Sequence, residues 1–286
     1  DKGRCRLEVH DGVVQLYSAA SDIGQGCATI FLQELSQTTG LPLSKMKNMG
    51  SNSELSPDSG TTSGSRQTLI TGEAVRMAAV DLKRDLDEAG GDLSKLEGKE
   101  YFAEFFDPTD KLGADVPFPK SHVAYGFAAH VVVLDDEGRV KEVYAAHDSG
   151  KVVNPTSIQG QIEGGVLMGM GYALSEALEF NASGHLKRSS LHSYHVASSL
   201  EMPQLQTDFI EKGEPTGPYG AKSIAECAVV PSAPAIINAI SNALGKDLHD
   251  LPYRPQPEAD GIFRLNAGES CVYCGLCVRK CPYNAI

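Results

Sequence analysis

Residues Gly217–Ile240 read GPYGAKSIAECAVVPSAPAIINAI. One carboxylate, Glu226, stands among small and apolar neighbours, with glycine and proline before it and an Ala/Ile-rich segment after it. An acid in such a setting is hard to hydrate, which favours its neutral form and prepares a base that works near neutral pH. The same position suits an acid at a helix N-terminus, where the macrodipole favours negative charge. Local sequence leaves both readings open. A helix is expected to follow from about 233 to 244.

Downstream, residues 252–261 (PYRPQPEADG) carry three prolines and read as a linker. Then comes Cys271-x-x-Cys274-x-x-Cys277-x-x-x-Cys281-Pro282. Thiolates at this spacing wrap a cubane iron–sulfur cluster, with proline after the last ligand. Zinc sites use two separated pairs rather than so compact a run. In two-cluster ferredoxins the fourth cysteine serves the other cluster. Either the module continues past Ile286, or all four thiolates serve one 4Fe-4S cluster. A cluster carries single electrons, so redox chemistry is expected of the partner domain. The expected layout is one large domain over 1–252, a linker over 253–261 and a ferredoxin-type module over 262–286.

Upstream, residues 4–9 and 13–17 alternate as a hairpin about His10-Asp11-Gly12. Residues 28–39 read as a helix, with Gly40 just past its end and Pro42 beyond. A short strand is expected near 45–49, a long small-residue loop over 51–68 and a helix over 71–88. Residues 89–100 are acidic and read as surface. Strands near 122–134 and 140–147 flank the turn Asp135-Asp136-Glu137-Gly138. Asn154-Pro155 opens a long helix, about 156–180. Its glycines are costly in a helix, each about 1 kcal/mol against Ala, and close approach of a backbone or a ligand would explain them. Hairpins and helices alternate without a βαβ repeat, which predicts an α+β fold.

The bulk numbers narrow the function. The chain has 286 residues, 41% hydrophobic and 22% charged, with a net charge of −12. The charge argues against nucleic acid or an anionic membrane as partner. No run of about 18 apolar residues occurs, so no membrane-spanning helix is expected. The most apolar run, Ala228 to Ile240, is broken by Pro231 and Pro234. Four of the seven cysteines crowd the C-terminal end, which suits metal ligation inside the cell rather than a secreted disulfide framework. The eight histidines show no ligand spacing and read as structural. The chain starts in a strand and stops just after the cysteine motif, so a piece of a longer polypeptide, or a processed subunit, is expected.

Four polar turns recur in order: Gly24-Gln25-Gly26, then Pro57 to Arg66 (PDSGTTSGSR), then Gly160-Gln161-Ile162-Glu163-Gly164, then Gly220 to Glu226 (GAKSIAE). Each can offer backbone N–H groups or an amide to an anionic or heterocyclic ligand. The second lacks the Gly-Lys-Ser/Thr ending of a P-loop, which argues against a nucleoside triphosphate. Together they resemble the C-terminal molybdenum-cofactor-binding domain of the xanthine dehydrogenase and aldehyde oxidoreductase family, the molybdenum hydroxylases. The resemblance covers about residues 1–252.

The resemblance implies an α+β molybdopterin-binding domain of the xanthine dehydrogenase type, here followed by a small ferredoxin-like module. It implies molybdopterin with molybdenum, in the cytosine dinucleotide form. Gln25, Gly26 and Gln161 would contact the pterin or the oxo face of the metal. Ser63, Gly64 and Ser65 would contact its dithiolene and phosphate side. Glu226 would be the general base, taking the proton from a water-derived oxygen that attacks an electron-poor carbon. A purine such as xanthine, or an aldehyde, would be the substrate. Cys271, Cys274, Cys277 and Cys281 would ligate the 4Fe-4S cluster. The first molybdopterin-binding domain, the 2Fe-2S clusters and FAD would lie on other domains or subunits of a cytoplasmic oligomer.

Two features depart from the family pattern. Ala225 stands where the family usually has glycine before the acid. The cysteine motif lies outside the common layout and suggests an anaerobe-type dehydrogenase.

Overall fold

Alternation along β1 (Lys2–His10) builds the first sheet. Its Cys5, Leu7 and Val9 point inward and are fully buried. Its Arg4, Arg6 and Glu8 point outward, where Arg4 pairs with Glu104, and Arg6 with Glu8 and Glu100. Period two in the sequence thus becomes an apolar and an ionic face. β2 (Val13–Tyr17) pairs antiparallel through the Asp11-Gly12 turn, with Leu7 opposite Leu16. β4 (Glu100–Phe106) pairs on the other side, with Cys5 opposite Ala103. β3 (Met46–Asn48) joins β2 in parallel across α1 (Cys27–Thr39), giving the order β3-β2-β1-β4. That crossover is one βαβ unit, not a repeat.

Helix α1 and helix α2 (Gly72–Glu88) cover the apolar face with Phe31, Leu35, Ala78, Leu82 and Leu86. Gly40 closes α1 in the left-handed conformation, φ 76°, and donates its N–H to Ser36 O. The expected loop before α2 ends in a π-turn, Gln67–Thr71.

The second sheet has the order β5-β6-β7, from β5 (Ala128–Leu134), β6 (Val140–Asp148) and β7 (Gln204–Ile210). Helix α3 runs Pro155–Leu174, and Asn154 Oδ1 accepts the Ser157 N–H at its start. Short α4 (Glu226–Val229) leads into α5 (Ser232–Leu244). Ile236 and Ile240 of α5 are buried with Met170 and Ala173 of α3.

This computed structural model describes residues 2–111, 113–120 and 123–254. Most of the expected linker at 253–261, and all of the expected module at 262–286, lie outside the described residues. The chain forms two compact units. Unit 1 takes Asp1–Phe127, Asp148–Gln161 and Phe209–Ala225, and unit 2 takes Ala128–His147, Ile162–Asp208 and the chain from Glu226.

The α+β expectation holds, with corrections in detail. β4 and β7 were not expected. β4 is apolar on both sides, with Phe102 and Phe106 exposed and Tyr101 and Ala103 buried, so its alternation is masked. β7 is half polar along its length. The stretch read as surface at 89–100 buries Leu93 and Leu96. The strand expected from 122 starts at Ala128, and the helix expected to reach 180 ends at Leu174. Its last turn closes on Gly171 O, which accepts from both Ser175 and Glu176. One helical stretch, Glu226–Leu244, is long and apolar enough to cross a membrane, contrary to expectation. It is interrupted between Val229 and Ser232, and its Ile236 and Ile240 are spent on the core of unit 2.

Candidate functional site

The first polar turn is built by its own side chains. Asp22 accepts the Gly24 and Gly26 N–H groups through Oδ1 and the Ala28 N–H through Oδ2. Burial raises its carboxyl, but these backbone donors outweigh that and hold it below the usual carboxylate range. Gln25 Oε1 accepts the Ile23 N–H at 2.7 Å, and Nε2 donates to Ser21 O at 3.1 Å. Both ends of the Gln25 amide are therefore engaged in shaping the turn. Gly26, at φ 82°, then starts α1.

Helix α3 begins beside this turn. A Cβ at Gly26 would lie 3.5 Å from Ser157 Oγ, and Asn154 Nδ2 donates to Gln33 Oε1 at 3.1 Å. Gln161, one turn further along α3, is half-buried, and its amide has no hydrogen bond among the described residues.

The loop at 57–66 is strapped down at its base. Ser59 is fully buried; its Oγ accepts the Arg4 N–H at 3.0 Å and donates to Thr71 Oγ1 at 3.0 Å. Thr71 in turn donates to Gln67 Oε1 at 2.6 Å, and Gln67 Nε2 donates to Thr62 Oγ1 at 2.9 Å. Thr62 Oγ1 also accepts the Ser21 N–H at 2.9 Å, which joins this loop to the first turn. Arg66 donates to the Ser59 and Thr61 carbonyls. The tip stays polar and open. Ser63 and Gly64 are exposed, and Gly64 and Ser65 adopt left-handed backbone, φ 72° and 49°. For a serine this conformation costs about 1–3 kcal/mol, a strain common where backbone is shaped for a ligand. Gln67, Thr62 and Ser59 were missed in the sequence, although they lie inside or beside the quoted motif.

The segment before Glu226 is held in unit 1. Gly150 bridges Ala221, Lys222 N donates to Ser149 O at 3.0 Å, and Lys151 N donates to Gly220 O at 2.9 Å. Lys222 Nζ sits 2.7 Å from Asp148 Oδ2, with both side chains buried. Ser223 Oγ accepts the Leu69 N–H at 2.9 Å, tying this segment to the π-turn behind the Ser63–Ser65 loop.

Glu226 itself is the first residue of α4 and is exposed. The apolar enclosure suggested by its neighbours is not formed within this chain: Ala228 turns inward and is fully buried, while Val230 is itself exposed. The helix-start reading describes its place in this chain.

Within unit 2, α4 and the start of α5 sit on the glycine face of α3. A Cβ at Gly165 would lie 2.6 Å from Ala228 Cβ, and one at Gly169 would lie 2.3 Å from Ser232 Cβ. Only glycine permits that contact. Of the two explanations for a glycine-rich helix, backbone approach accounts for these two. Gly160 and Gly164 face open space.

Two histidines read as merely structural form a chain in which His147 is fully buried and His130 half-buried. His130 Nε2 and His147 Nε2 are 2.8 Å apart, and His130 Nδ1 is 3.2 Å from Ser232 Oγ. Burial, with His147 beside it, pushes His130 down to about 4, and burial lowers His147 as well. They lie 17 positions apart and meet only because β5 pairs with β6, with His130 opposite Ala145. Nothing local in the sequence signals that contact.

The predicted residues thus divide. Gln25, Gly26, Ser63, Gly64, Ser65 and Gln161 belong to unit 1, and Glu226 opens the last segment of unit 2. The Thr62–Ser21 bond and the Ser157–Gly26 approach bring the unit 1 residues into one neighbourhood. The donor set fits a pterin and its phosphates. It offers hydroxyls and left-handed backbone at an exposed tip, and an amide without an internal partner, and none of the four polar turns carries a metal-ligating cluster. The four cysteines at 271–281 lie outside the described residues.

Comparison with known proteins gives two family matches. The molybdopterin cofactor-binding domain matches residues 1–203, and the 4Fe-4S binding domain matches residues 268–286. The xanthine dehydrogenase molybdenum-binding subunit of Escherichia coli O157:H7 is 29% identical over 279 residues, 86% of this chain and 37% of its own length. The carbon monoxide dehydrogenase large chain of Hydrogenophaga pseudoflava is 27% identical over 285 residues, 87% of this chain and 36% of its own. The solved aldehyde oxidoreductase from Desulfovibrio gigas superposes with a TM-score of 0.75 at 25% identity, over 88% of this chain and 29% of that one. The chain spans little more than a third of the length of the first of these relatives.

Proposed function

This chain belongs to the molybdopterin cofactor-binding domain family, matched over residues 1–203, and from that premise we propose that it is the C-terminal part of a molybdenum hydroxylase. Its substrate is a purine or related N-heterocycle such as xanthine, and the inserted oxygen comes from water. The observation that carries the reading is the family match, which spans three of the four ordered polar turns.

Molybdenum on the pterin supplies, when bound, a two-electron redox centre and a Lewis acid that makes water acidic. The protein's own groups do the rest. Gln161 offers its amide to the cofactor, Ser63, Gly64 and Ser65 offer hydroxyl and backbone donors, and the Gln25–Gly26 turn shapes the wall beside them. A carboxylate oxygen of Glu226 would take the proton from the water-derived oxygen as it bonds to the electron-poor carbon, and the hydrogen on that carbon would leave with its two electrons to the bound redox centre. An acid within hydrogen-bond reach of that proton contributes about 10²–10⁴-fold. Since Glu226 is exposed in this chain, its enclosure comes from elsewhere, namely the first molybdopterin-binding domain. The cytosine dinucleotide form is the proposed cofactor. Cys271, Cys274, Cys277 and Cys281 would hold a 4Fe-4S cluster, which would supply one-electron transfer toward 2Fe-2S and flavin domains or subunits of a cytoplasmic oligomer.

An aldehyde is the second substrate class, favoured by the likeness to the Desulfovibrio gigas enzyme. A non-catalytic electron-transfer subunit is the third reading. Metal analysis of the native assembled protein, with turnover in ¹⁸O-labelled water, separates them. Molybdenum, with or without selenium, together with ¹⁸O in a hydroxylated purine, is the expected result. Oxidation of aldehydes but not purines selects the second reading, and a molybdenum-free protein the third.

A further inference from the structure

Helix α4 has only four residues, too few to hold a helical turn without tertiary support. Glu226 is its first residue, and the Glu226 carbonyl accepts the Val230 N–H at 3.1 Å. Something must fix that turn if the acid is to act at a defined place. Two supports are visible in unit 2. One is steric: Ala228 and Ser232 seat against Gly165 and Gly169 of α3. The other is polar. Ser232 Oγ lies 2.9 Å from the Ala228 carbonyl and 3.2 Å from His130 Nδ1, and His130 Nε2 lies 2.8 Å from His147 Nε2.

The polar chain has a direction. The Ser232 hydroxyl donates to Ala228 O, so it accepts from His130, whose Nδ1 carries the proton. His130 Nε2 is then an acceptor, and His147 Nε2 donates to it. His147 is fully buried, and its Nδ1 has no partner among the described residues. A fully buried imidazole and a half-buried one cost desolvation, which the hydrogen bonds along the chain offset in part.

We propose that His130 and His147 are positioning residues for the Glu226 reaction: through Ser232 they fix the α4 turn and so the direction of the Glu226 carboxylate. The proposal rests on the reading of Glu226 as the base. The side chains do not touch substrate. They act by holding the carbonyl two residues beyond the acid. A displacement of about 1 Å at a reacting group can cost about a hundredfold in rate.

The test uses the assembled molybdenum enzyme. Its variants are His130→Leu, His130→Asn, which keeps a donor toward Ser232, and Ser232→Ala, which removes one hydroxyl. His130→Leu is expected to lower kcat tenfold or more with KM within twofold and molybdenum content unchanged, and His130→Asn to restore most of it. Amide hydrogen exchange at Val230, read on the protein itself, is expected to rise about tenfold in Ser232→Ala while the α5 amides stay protected. Unchanged kcat and unchanged Val230 exchange would overturn the proposal. So would a loss of kcat that tracks thermal stability without rescue by Asn. Glu226→Gln run beside them keeps the two claims apart. If it turns over normally, the base assignment fails whatever the histidines do. If it is inactive while His130→Leu is fully active, only the positioning role fails.

Discussion

Lys222 and Asp148 form a buried ion pair, Nζ to Oδ2 2.7 Å, and their side chains keep 8% and 7% of their accessible surface. Lys222 also donates to the Tyr125 carbonyl at 2.9 Å, so the ammonium has two acceptors out of water. The pair fastens the end of β6 to the segment that runs directly into Glu226. Removing one partner strands the other charge. Lys222→Met is expected to cost about 3–5 kcal/mol of stability, read as a shift in denaturation midpoint. Adding Asp148→Asn is expected to recover part of it. An unchanged midpoint in the single variant would contradict the pair's structural role.

Glu34 gives a pH dependence of opposite sense to an ordinary carboxylate. It is 1% exposed, and neither oxygen has a partner among the described residues. Burial first, and the Glu73 charge second, push its carboxyl well above the usual 4.5. The folded chain thus keeps a proton that the unfolded chain releases. Stability from this group is complete below the unfolded value and declines as pH rises toward the folded one. Glu34→Leu is expected to stabilise the fold more at about pH 8 than at pH 5. Equal gains at both would mean that Glu34 is ionised when folded.

The histidine pair works on the acid side. His130 falls from 6.5 to about 4 through burial and its neighbour His147. Between those values the unfolded chain binds a proton that the folded chain refuses. Stability is therefore expected to drop as pH falls from 6.5 to 4 and to level off below. His130→Asn should lose that contribution to the slope, which denaturation midpoints across the window would reveal.

How far the sequence carried this molecule depends on whether each feature is local. The β1–β2 hairpin, α1 with Gly40, and the Asn154-Pro155 helix start were legible because alternation, caps and turns are written in adjacent residues. β4 was hidden because Phe102 and Phe106 face outward beside Tyr101 and Ala103, which erases the period-two signal. Glu226 looked enclosed because its sequence neighbours are apolar, yet Ala228 turns into the core and leaves the acid exposed. Gln25 looked free to bind, yet its amide closes its own turn. The Ser59–Thr71–Gln67–Thr62 chain and the His130–His147 contact arise from strand and helix pairing, which no single stretch records. Gly165 and Gly169 were legible as close approaches, but not what approaches them.

The 4Fe-4S assignment rests on the match at residues 268–286 and the spacing of its cysteines. Cys274→Ser is expected to lower iron and acid-labile sulfide in the assembled protein while molybdenum stays constant. Unchanged iron and sulfide would remove the cluster from this chain.

The central claim is that Glu226 is the base of a molybdenum hydroxylase. Steady-state turnover of a purine by Glu226→Gln, in the assembled enzyme with molybdenum content measured alongside, tests it most directly. The account expects kcat to fall by about a hundredfold or more at undiminished molybdenum. Wild-type turnover from a fully loaded Glu226→Gln enzyme would contradict it.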